Sequence, residues 1–242
     1  MTDFLTTPEG RRIAYDLTVG AGPAVVFLGG FRSDMEGTKA LDLRDWAAAQ
    51  GRTFLRFDYS GHGLSGGRFE DGCIGDWYED ARAALSLVAG PVVLVGSSMG
   101  GWISLLLARE MPERVAAFVG IAAAPDFTED LMWDAFDEDQ RAQVMAGVYP
   151  MPSPYGEPTP ITRRLIEDGR ERLVLRSPLA FGFPVRLLQG TADADVPVSV
   201  AMRLIQHIDG PDKQMMVIGG ADHRFSTPEC LREIRRVVAE VA

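Results

Sequence analysis

The chain has 242 residues, and 46% of them are hydrophobic, enough for a sizeable core in one large domain or two small ones. Charged residues make up 24% of the sequence, which is typical of a folded globular protein and not of a disordered one. The 24 basic and 34 acidic residues give a formal net charge of −10, which disfavours nucleic acid and anionic membrane surfaces as partners.

Short apolar runs alternate with helical patterns, as expected when helices cover both faces of a mostly parallel sheet. The first segment, Arg12 to Val19, alternates apolar and polar residues and predicts an antiparallel hairpin at one sheet edge. Continuous apolar runs predict buried strands at residues 24–29, 53–57, 92–95, 115–121, 185–188 and 215–218. Helical periodicity predicts helices at residues 40–50, 77–88, 101–111, 198–208 and 228–241. The predicted fold class is therefore α/β.

One long segment, residues 126–182, interrupts this alternation between two predicted strands. Ordinary connections have about 2 to 6 residues, so this one is an insertion. An amphipathic pattern from Phe127 to Phe136 comes first, prolines between Pro150 and Pro160 then exclude a continuous helix, and a helical piece follows at 161–173. We expect a lid on a single core domain made of residues 1–125 and 183–242, with a packing elaboration as the alternative.

Residues 96–100 form a Gly-x-Ser-x-Gly pentapeptide between a predicted strand and an apolar helical run, Trp102 to Ala108. This strand-turn-helix context exposes a nucleophilic serine on a sharp turn at the carboxyl end of a sheet. The two glycines are needed because the turn brings their positions close together. Ser98 falls at the apex and Ser97 out of register, so Ser98 is the predicted nucleophile; the alternative is a glycine-rich turn without one.

A serine hydroxyl is a weak nucleophile at neutral pH and needs a general base. Of the three histidines, His207 lies within a predicted helix, and His62 lies in a turn that precedes the serine in the chain. His223 lies in a glycine-bearing loop after the last predicted strand, from which it can reach a serine at the carboxyl end of a central strand. His223 is therefore the predicted base.

The base in turn needs a carboxylate that orients it. Asp193 and Asp195 both follow the strand predicted at residues 185–188. Asp193 is preferred because it lies nearer the strand end, whereas Asp195 lies closer to the next helix and is placed to cap it. The order Ser98, Asp193, His223 matches one of three convergent triad arrangements.

A tetrahedral intermediate also needs N–H donors for its oxyanion. Met99 follows the nucleophile at a helix N-terminus and supplies one main-chain amide. We assign the second amide to Phe31, in a glycine loop that follows a predicted strand, with Gly30 as the alternative. This chemistry calls for no metal and no cofactor.

These features together resemble the α/β-hydrolase family of serine hydrolases. Segments similar to the tenth abhydrolase-domain group of animal mitochondria lie at residues 37–40, 56–61, 95–102, 151–153 and 222–224. The resemblance implies an esterase or thioesterase acting on small acyl substrates or S-acylated peptides, since that group contains palmitoyl-protein thioesterases that also cleave acyl glucuronides. In two departures, no Arg-rich transit peptide is present, and Gly29 stands where the family's oxyanion motif usually has a histidine.

The substrate side is less specific, because one fold hosts many chemistries. An acyl pocket, or alternatively the inserted segment's own core, is predicted from Met132, Trp133, Phe136 and Tyr149. Arg163 and Arg164 either receive a substrate carboxylate or lie on a solvated helix face. A cofactor-free haloperoxidase or perhydrolase with the same triad is the alternative enzyme, and a non-enzymatic ligand receptor is the third hypothesis. The net charge favours neutral acyl esters over polyanionic ones such as acyl-CoA.

The location follows from what the sequence lacks. Residues 1–10 are polar and include two acidic residues, unlike a signal peptide. No apolar run approaches the roughly 20 residues that span a bilayer, so membrane insertion is not expected. Cys73 and Cys230 are too few and too far apart for a disulfide framework, which predicts reduced thiols and a cytoplasmic location. The oligomeric state is not predicted.

Overall fold

The structure is a computed structural model that describes residues 2–153 and 156–242. Its strands are β1 Asp3–Thr6, β2 Arg12–Thr18, β3 Ala21–Leu28, β4 Arg52–Phe57, β5 Val92–Ser97, β6 Val115–Ile121, β7 Val148–Ser153, β8 Gly156–Thr162, β9 Leu179–Ala180, β10 Val185–Gly190, β11 Ile208–Asp209 and β12 Lys213–Ile218. Its α-helices are α1 Thr38–Ala49, α2 Ile74–Leu85, α3 Met99–Glu110, α4 Glu138–Ala146, α5 Arg163–Arg170, α6 Val198–His207 and α7 Pro228–Val241.

The centre of the fold is an eight-stranded sheet in the order β1-β2-β4-β3-β5-β6-β10-β12. The strands from β4 to β12 in this order pair in parallel, whereas β1 and β2 form an antiparallel hairpin at one edge. The predicted α/β class, the edge hairpin, five of the six buried strands and the five helices of the core are confirmed, with shifted boundaries. The strand predicted at residues 215–218 is present as β12, but it is not buried, because it lies at the other edge of the sheet. The parallel order brings the carboxyl ends of β5, β10 and β12 to one edge, where the predicted site residues follow.

Helices cover both faces of the sheet, which explains the continuous apolar runs in its strands. Alternate residues of a strand point to opposite faces. On one face, Val26 and Leu94 pack with Trp77 of α2 and Trp102 of α3. On the other face, the core contains residues of α1 and α7 packed on Val25, Phe27, Val93 and Val95. A rigid two-faced core therefore supports the loops at the carboxyl edge.

The inserted segment, residues 126–182, leaves the sheet after β6 and returns before β10. It begins with a short π-helical stretch, Thr128–Trp133, and continues through α4, the antiparallel hairpin β7–β8 and α5. The proline-rich part excludes helix as predicted, but the sequence analysis did not predict that it forms a hairpin. Prolines are tolerated there because a two-stranded ribbon consists only of edge strands.

Both ends of the inserted segment are joined by Asp126, which is fully buried. Its carboxylate accepts the main-chain N–H of Val174 at 2.8 Å and of Leu175 at 2.9 Å. Burial raises the pKa of Asp126, and the two N–H donors oppose this rise. These hydrogen bonds therefore join the first residue of the inserted segment to residues near its end.

Cys73 and Cys230 are free thiols, as the sequence predicts, and both are buried. Across residues 2–153 and 156–242, none of the helices combines the length and apolar character that a bilayer crossing needs.

Candidate active site

Ser98 lies on a sharp turn between β5 and α3, with φ of 54° and ψ of −117°. Positive φ is unfavourable for a residue with a side chain and persists only where neighbours hold it. Here the Ser98 N–H donates to Ile121 O at 3.0 Å, and Ser98 O accepts the N–H of Gly101 at 2.9 Å and of Ala124 at 3.0 Å. The turn therefore carries the hydroxyl to the carboxyl edge of the sheet.

The glycines on either side of Ser98 are required by space. A Cβ added at Gly96 would lie 2.4 Å from Gly100 O, and one added at Gly100 would lie 2.0 Å from Leu28 O. Both distances are far shorter than a carbon atom tolerates next to main chain. The close approach across the turn that the sequence predicts is therefore present, and it also involves the end of β3.

A continuous hydrogen-bonded chain joins the predicted nucleophile, base and acid. His223 Nε2 lies 3.0 Å from Ser98 Oγ, and His223 Nδ1 lies 2.9 Å from Asp193 Oδ2. An ionised carboxylate only accepts, so Nδ1 carries the ring proton and Nε2 faces the serine with its lone pair. The fold thus brings together three residues that are up to 125 positions apart in the chain.

Asp193 is held by several donors. Its side chain is buried, Oδ1 accepts the Val196 N–H at 2.8 Å, and Oδ2 also accepts the Gln189 amide at 3.1 Å. Burial raises the pKa of Asp193, but the bonds from His223 and Val196 outweigh burial and hold the pKa below its usual range. The group is therefore an ionised acceptor at neutral pH.

Asp195 does not take the place of Asp193. Its carboxylate is exposed, and it contributes a main-chain N–H to Asp193 Oδ1 at 3.0 Å. The residue at the N-terminal cap position of α6 is Pro197 and not Asp195. Asp193, Asp195 and His223 present possible metal-ligand atoms within 4.8 Å of one another. A cation bound there would compete with the hydrogen bonds that already engage both ring nitrogens of His223.

The loop after β3 lies against the serine. A Cβ added at Gly30 would be 3.4 Å from Ser98 Cβ. The Phe31 ring points into an aromatic cluster, with ring centroids 5.0 Å from Phe69, 5.4 Å from Phe127 and 5.8 Å from Trp77. The side chain of Phe31 is thus anchored while its main chain runs beside the site. Met99 is the first residue of α3.

His62 has a role that the sequence analysis did not assign. Its Nε2 accepts the main-chain N–H of Arg32 at 3.2 Å, and its Nδ1 lies 3.1 Å from Ser60 O. These partners fix a neutral ring that is protonated on Nδ1. Burial lowers the pKa of His62 to about 4, which keeps the ring neutral. His62 therefore anchors the loop that follows β3.

Replacing His62 with glutamine is expected to reduce the acid sensitivity of folding. An ordinary histidine titrates near 6.5, whereas His62 in the fold titrates at about 4. Between these values the unfolded chain binds more protons, so stability falls as the pH drops through this window. The loss is up to about 3 kcal/mol. Urea unfolding at pH 7 and pH 4.5 should show a smaller difference in His62→Gln than in wild type. An equal difference in both proteins would contradict a neutral buried ring.

Three of the four apolar residues predicted from the inserted segment contact other residues of that segment. The rings of Phe136 and Tyr149 lie 5.4 Å apart, and Met132 is partly buried against the core. Trp133 stacks with two guanidinium groups, at 4.4 Å from Arg170 and 5.4 Å from Arg141. These contacts fit the alternative of a core internal to the segment, and the acyl-pocket role stays a prediction.

Arg163 and Arg164 are engaged in ion pairs of α5. Arg163 pairs with Glu167 one turn along the helix at 2.7 Å, and Arg164 pairs with Asp76 of α2 at 2.6 Å. Both arginine side chains are more than half exposed. Their positions match the solvated helix face that was the alternative to carboxylate binding.

A cavity of about 250 Å³ lies between the start of the inserted segment and α6. Two of its wall residues, Pro125 and Pro197, follow in the chain Ala124, which donates to Ser98 O, and Val196, which donates to Asp193. Its walls are Pro125, Asp130, Leu131, Leu175, Pro197, Ser199, Val200 and Arg203. Leu131 of the inserted segment lines this cavity, whereas the four residues predicted for an acyl pocket are not among its walls.

Lys39 is a second residue that the sequence analysis left unassigned. Its Nζ donates to the main-chain oxygen of Arg224, the residue after His223, at 2.5 Å. Burial lowers the pKa of Lys39 to about 8, and the nearby Asp222 carboxylate opposes this shift. Lys39 stands out in the sequence because it is one of two lysines, whereas all the other residues counted as basic are arginines.

Two groups of relatives share this architecture. Palmitoyl-protein thioesterase ABHD10, mitochondrial, is 35% identical in Bos taurus and 34% identical in Homo sapiens over 225 residues, which is 92% of this chain and 74% of each relative. The solved structure of mouse alpha/beta hydrolase domain-containing protein 10 has 32% identity and a TM-score of 0.91, covering 99% of this chain and 97% of that one. The predicted resemblance to this group is confirmed.

A crystal structure from Agrobacterium vitis S4, of a protein classed as a hydrolase, has 41% identity and a TM-score of 0.96, covering 100% of this chain and 98% of that one. The alpha/beta hydrolase family profile matches residues 25–241. This match includes β5, the Ser98 turn and the loops that carry Asp193 and His223. With its parallel sheet and a serine turn at the carboxyl edge, the chain belongs to the alpha/beta hydrolase family.

Proposed function

We propose that the protein is a serine hydrolase that cleaves carboxylic esters or thioesters of acyl groups through an acyl-enzyme intermediate. The observation that carries this proposal is the hydrogen-bonded chain from Ser98 Oγ through His223 to Asp193, with links of 3.0 Å and 2.9 Å. Nucleophile, base and orienting acid are the parts that acyl transfer by serine requires.

The first half of the reaction forms the acyl-enzyme. Ser98 Oγ attacks the carbonyl carbon while His223 Nε2 takes the hydroxyl proton. Asp193 stabilises the resulting imidazolium and keeps the proton on Nδ1. When the tetrahedral intermediate collapses, the bond from the carbonyl carbon to the leaving oxygen or sulfur breaks, and His223 gives its proton to that atom.

The second half releases the acyl group. His223 takes a proton from water, the hydroxyl attacks the acyl carbon, and the Ser98 ester bond breaks as the serine regains its proton. In both halves the negative oxygen is stabilised by the main-chain amides of Met99 and Phe31, with Gly30 as the alternative donor. Such donors each supply about 2.7 to 4 kcal/mol of barrier stabilisation.

Thioesters belong in the proposed substrate range because the curated relatives are named palmitoyl-protein thioesterases. S-acylated peptides are therefore proposed substrates beside small acyl esters. The inserted segment would act as the lid over the acyl group. A cytoplasmic location is proposed on the two free thiols, whereas the named relatives are mitochondrial.

A substrate panel that crosses acyl length with oxygen and sulfur leaving groups tests the proposal. We expect turnover of p-nitrophenyl esters and of uncharged thioesters. Acyl-CoA of equal chain length should turn over more slowly, because the net charge is −10 and Arg163 and Arg164 are already paired. The absence of turnover across the panel would contradict the proposal. A higher rate of peracid formation than of hydrolysis, in acetate and peroxide, would instead identify a perhydrolase.

A further inference from the structure

Arg32 contacts two parts of the molecule that are distant in the chain. Its main chain belongs to the loop after β3, directly after Phe31. Its side chain reaches β8 of the inserted segment, about 125 residues away in sequence. The proposed mechanism uses the loop as a donor of an amide and the inserted segment as a lid, but it assigns no residue to join them.

The main-chain end of this connection rests on a buried hydrogen-bonded series. The Ser60 N–H and Oγ donate to the buried Asp80 carboxylate at 2.8 Å and 2.6 Å. Ser60 O accepts a hydrogen bond from the indole N–H of Trp77 at 3.1 Å and lies 3.1 Å from His62 Nδ1. His62 Nε2 then accepts the Arg32 N–H at 3.2 Å. The acceptor for Arg32 is therefore fixed by the core.

The side-chain end rests on β8. Nη1 of Arg32 lies 3.2 Å from Glu157 O, 3.2 Å from Pro158 O and 3.0 Å from Thr159 Oγ1. All three acceptors are neutral, and they lie on successive residues of one strand. The guanidinium also lies 5.6 Å from the centre of the Phe69 ring, beside the cluster that holds Phe31. The contact thus depends on where the hairpin lies and not on pairing with a carboxylate.

Arg32 itself has φ of 58°, which is unfavourable for a residue with a side chain. Strain of this kind persists only when the surroundings over-determine the backbone. The His62 bond and the β8 contacts supply two such restraints. Loss of either one lets residue 32 relax and the Phe31–Arg32 peptide turn, and this shifts Phe31 and the next peptide, Gly30–Phe31, which carries the Phe31 N–H.

We propose that Arg32 is a positioning residue that couples the β7–β8 hairpin to the loop that supplies the Phe31 amide. The hairpin, when it lies on Arg32, keeps that amide directed at the developing oxyanion. Movement of the hairpin away from Arg32 therefore opens the lid and weakens the oxyanion site at the same time. This inference rests on the proposed function, because it assumes that the Phe31 amide serves the reaction.

The test compares Arg32→Met, Arg32→Lys and the control Arg68→Met. Arg68 is an exposed arginine next to Phe69 that pairs with Glu70 and Asp71, so its replacement removes the same charge and leaves the Arg32 contacts with β8 in place. The kinetic readouts are kcat and KM for p-nitrophenyl acetate. The structural readout is hydrogen exchange of residues 148–153 and 156–162. We expect Arg32→Met to lower kcat about tenfold with KM within about twofold, because a displaced donor acts on the transition state.

Hydrogen exchange of the β7–β8 hairpin should be faster in Arg32→Met than in wild type. Arg32→Lys should recover part of kcat and part of the protection from exchange. Arg68→Met should match wild type in both kcat and hairpin exchange. Faster hairpin exchange with unchanged kcat would overturn the coupling. Reduced kcat with unchanged hairpin exchange would show that Arg32 acts without the hairpin. Full turnover in Ser98→Ala would refute the proposed function instead, and the exchange data would still report on the Arg32 contact.

Discussion

Replacement of Ser98 by alanine is expected to lower kcat for p-nitrophenyl esters by about 10⁶-fold, because the nucleophile of a triad acts as one unit with its base. Ser98 Oγ lies at the apex of the turn and 3.0 Å from His223 Nε2. Labelling by a fluorophosphonate, followed by intact mass, should disappear in the same variant. The fold should survive, since alanine keeps the Cβ and the main-chain bonds of the turn.

Ser97→Ala is the matched control for this experiment. Ser97 is the last residue of β5, is buried, and receives the same substitution one position away. Its variant should keep turnover and labelling within a few-fold of wild type. Labelling that persists in Ser98→Ala, or that disappears in Ser97→Ala alone, would show that the nucleophile has been assigned to the wrong serine.

The positions of Ser98 and His223 could be predicted because both depend on local order along the chain. Each follows a strand, and the carboxyl ends of parallel strands meet at one edge of a sheet. The choice of Asp193 over Asp195 rested on a difference of two residues from the strand end. The fold explains that choice, because the loop that brings Val196 back onto Asp193 directs Asp195 outwards.

The inserted segment shows where prediction from sequence ends. Helix α4 was not predicted, although Asp137 and Gln140 form a capping box with the spacing that such boxes have. The β7–β8 hairpin could not be predicted from the sequence, because a proline cannot donate a hydrogen bond to a neighbouring strand and so argues against a strand. Its contact with Arg32 joins residues 127 positions apart and depends on tertiary packing that no local pattern encodes.

The anchoring of the loop after β3 was missed for a related reason. From its place in the chain, His62 is a candidate base that precedes the serine, and the sequence indicates no structural role for it. The ring is neutral and buried, with one nitrogen on Ser60 and the other on Arg32. A histidine between two glycines gives no local sign of such a bond, because the acceptor and donor are 30 residues apart.

Replacement of Asp193 by asparagine is expected to lower kcat by about 10⁴-fold while the protein stays folded. The asparagine amide would donate to His223 Nδ1, so the ring would carry its proton on Nε2 and face Ser98 with a donor instead of an acceptor. The remaining amide oxygen can still accept the Val196 N–H. Thermal unfolding measured beside kcat would separate this effect from a loss of structure.

Asp195→Asn is the matched control, because it makes the same change of charge two residues away and leaves the His223 contact in place. Its kcat should stay within about tenfold of wild type, as expected for a change outside the reacting groups. A larger loss in Asp195→Asn than in Asp193→Asn would reverse the assignment of the acid. Equal losses in both variants would mean that the charge of the loop, and not the direction of one hydrogen bond, governs the base. Because hydrogen bonds from His223 and Val196 hold the pKa of Asp193 below its usual range, the difference between the two variants should persist at neutral pH and above.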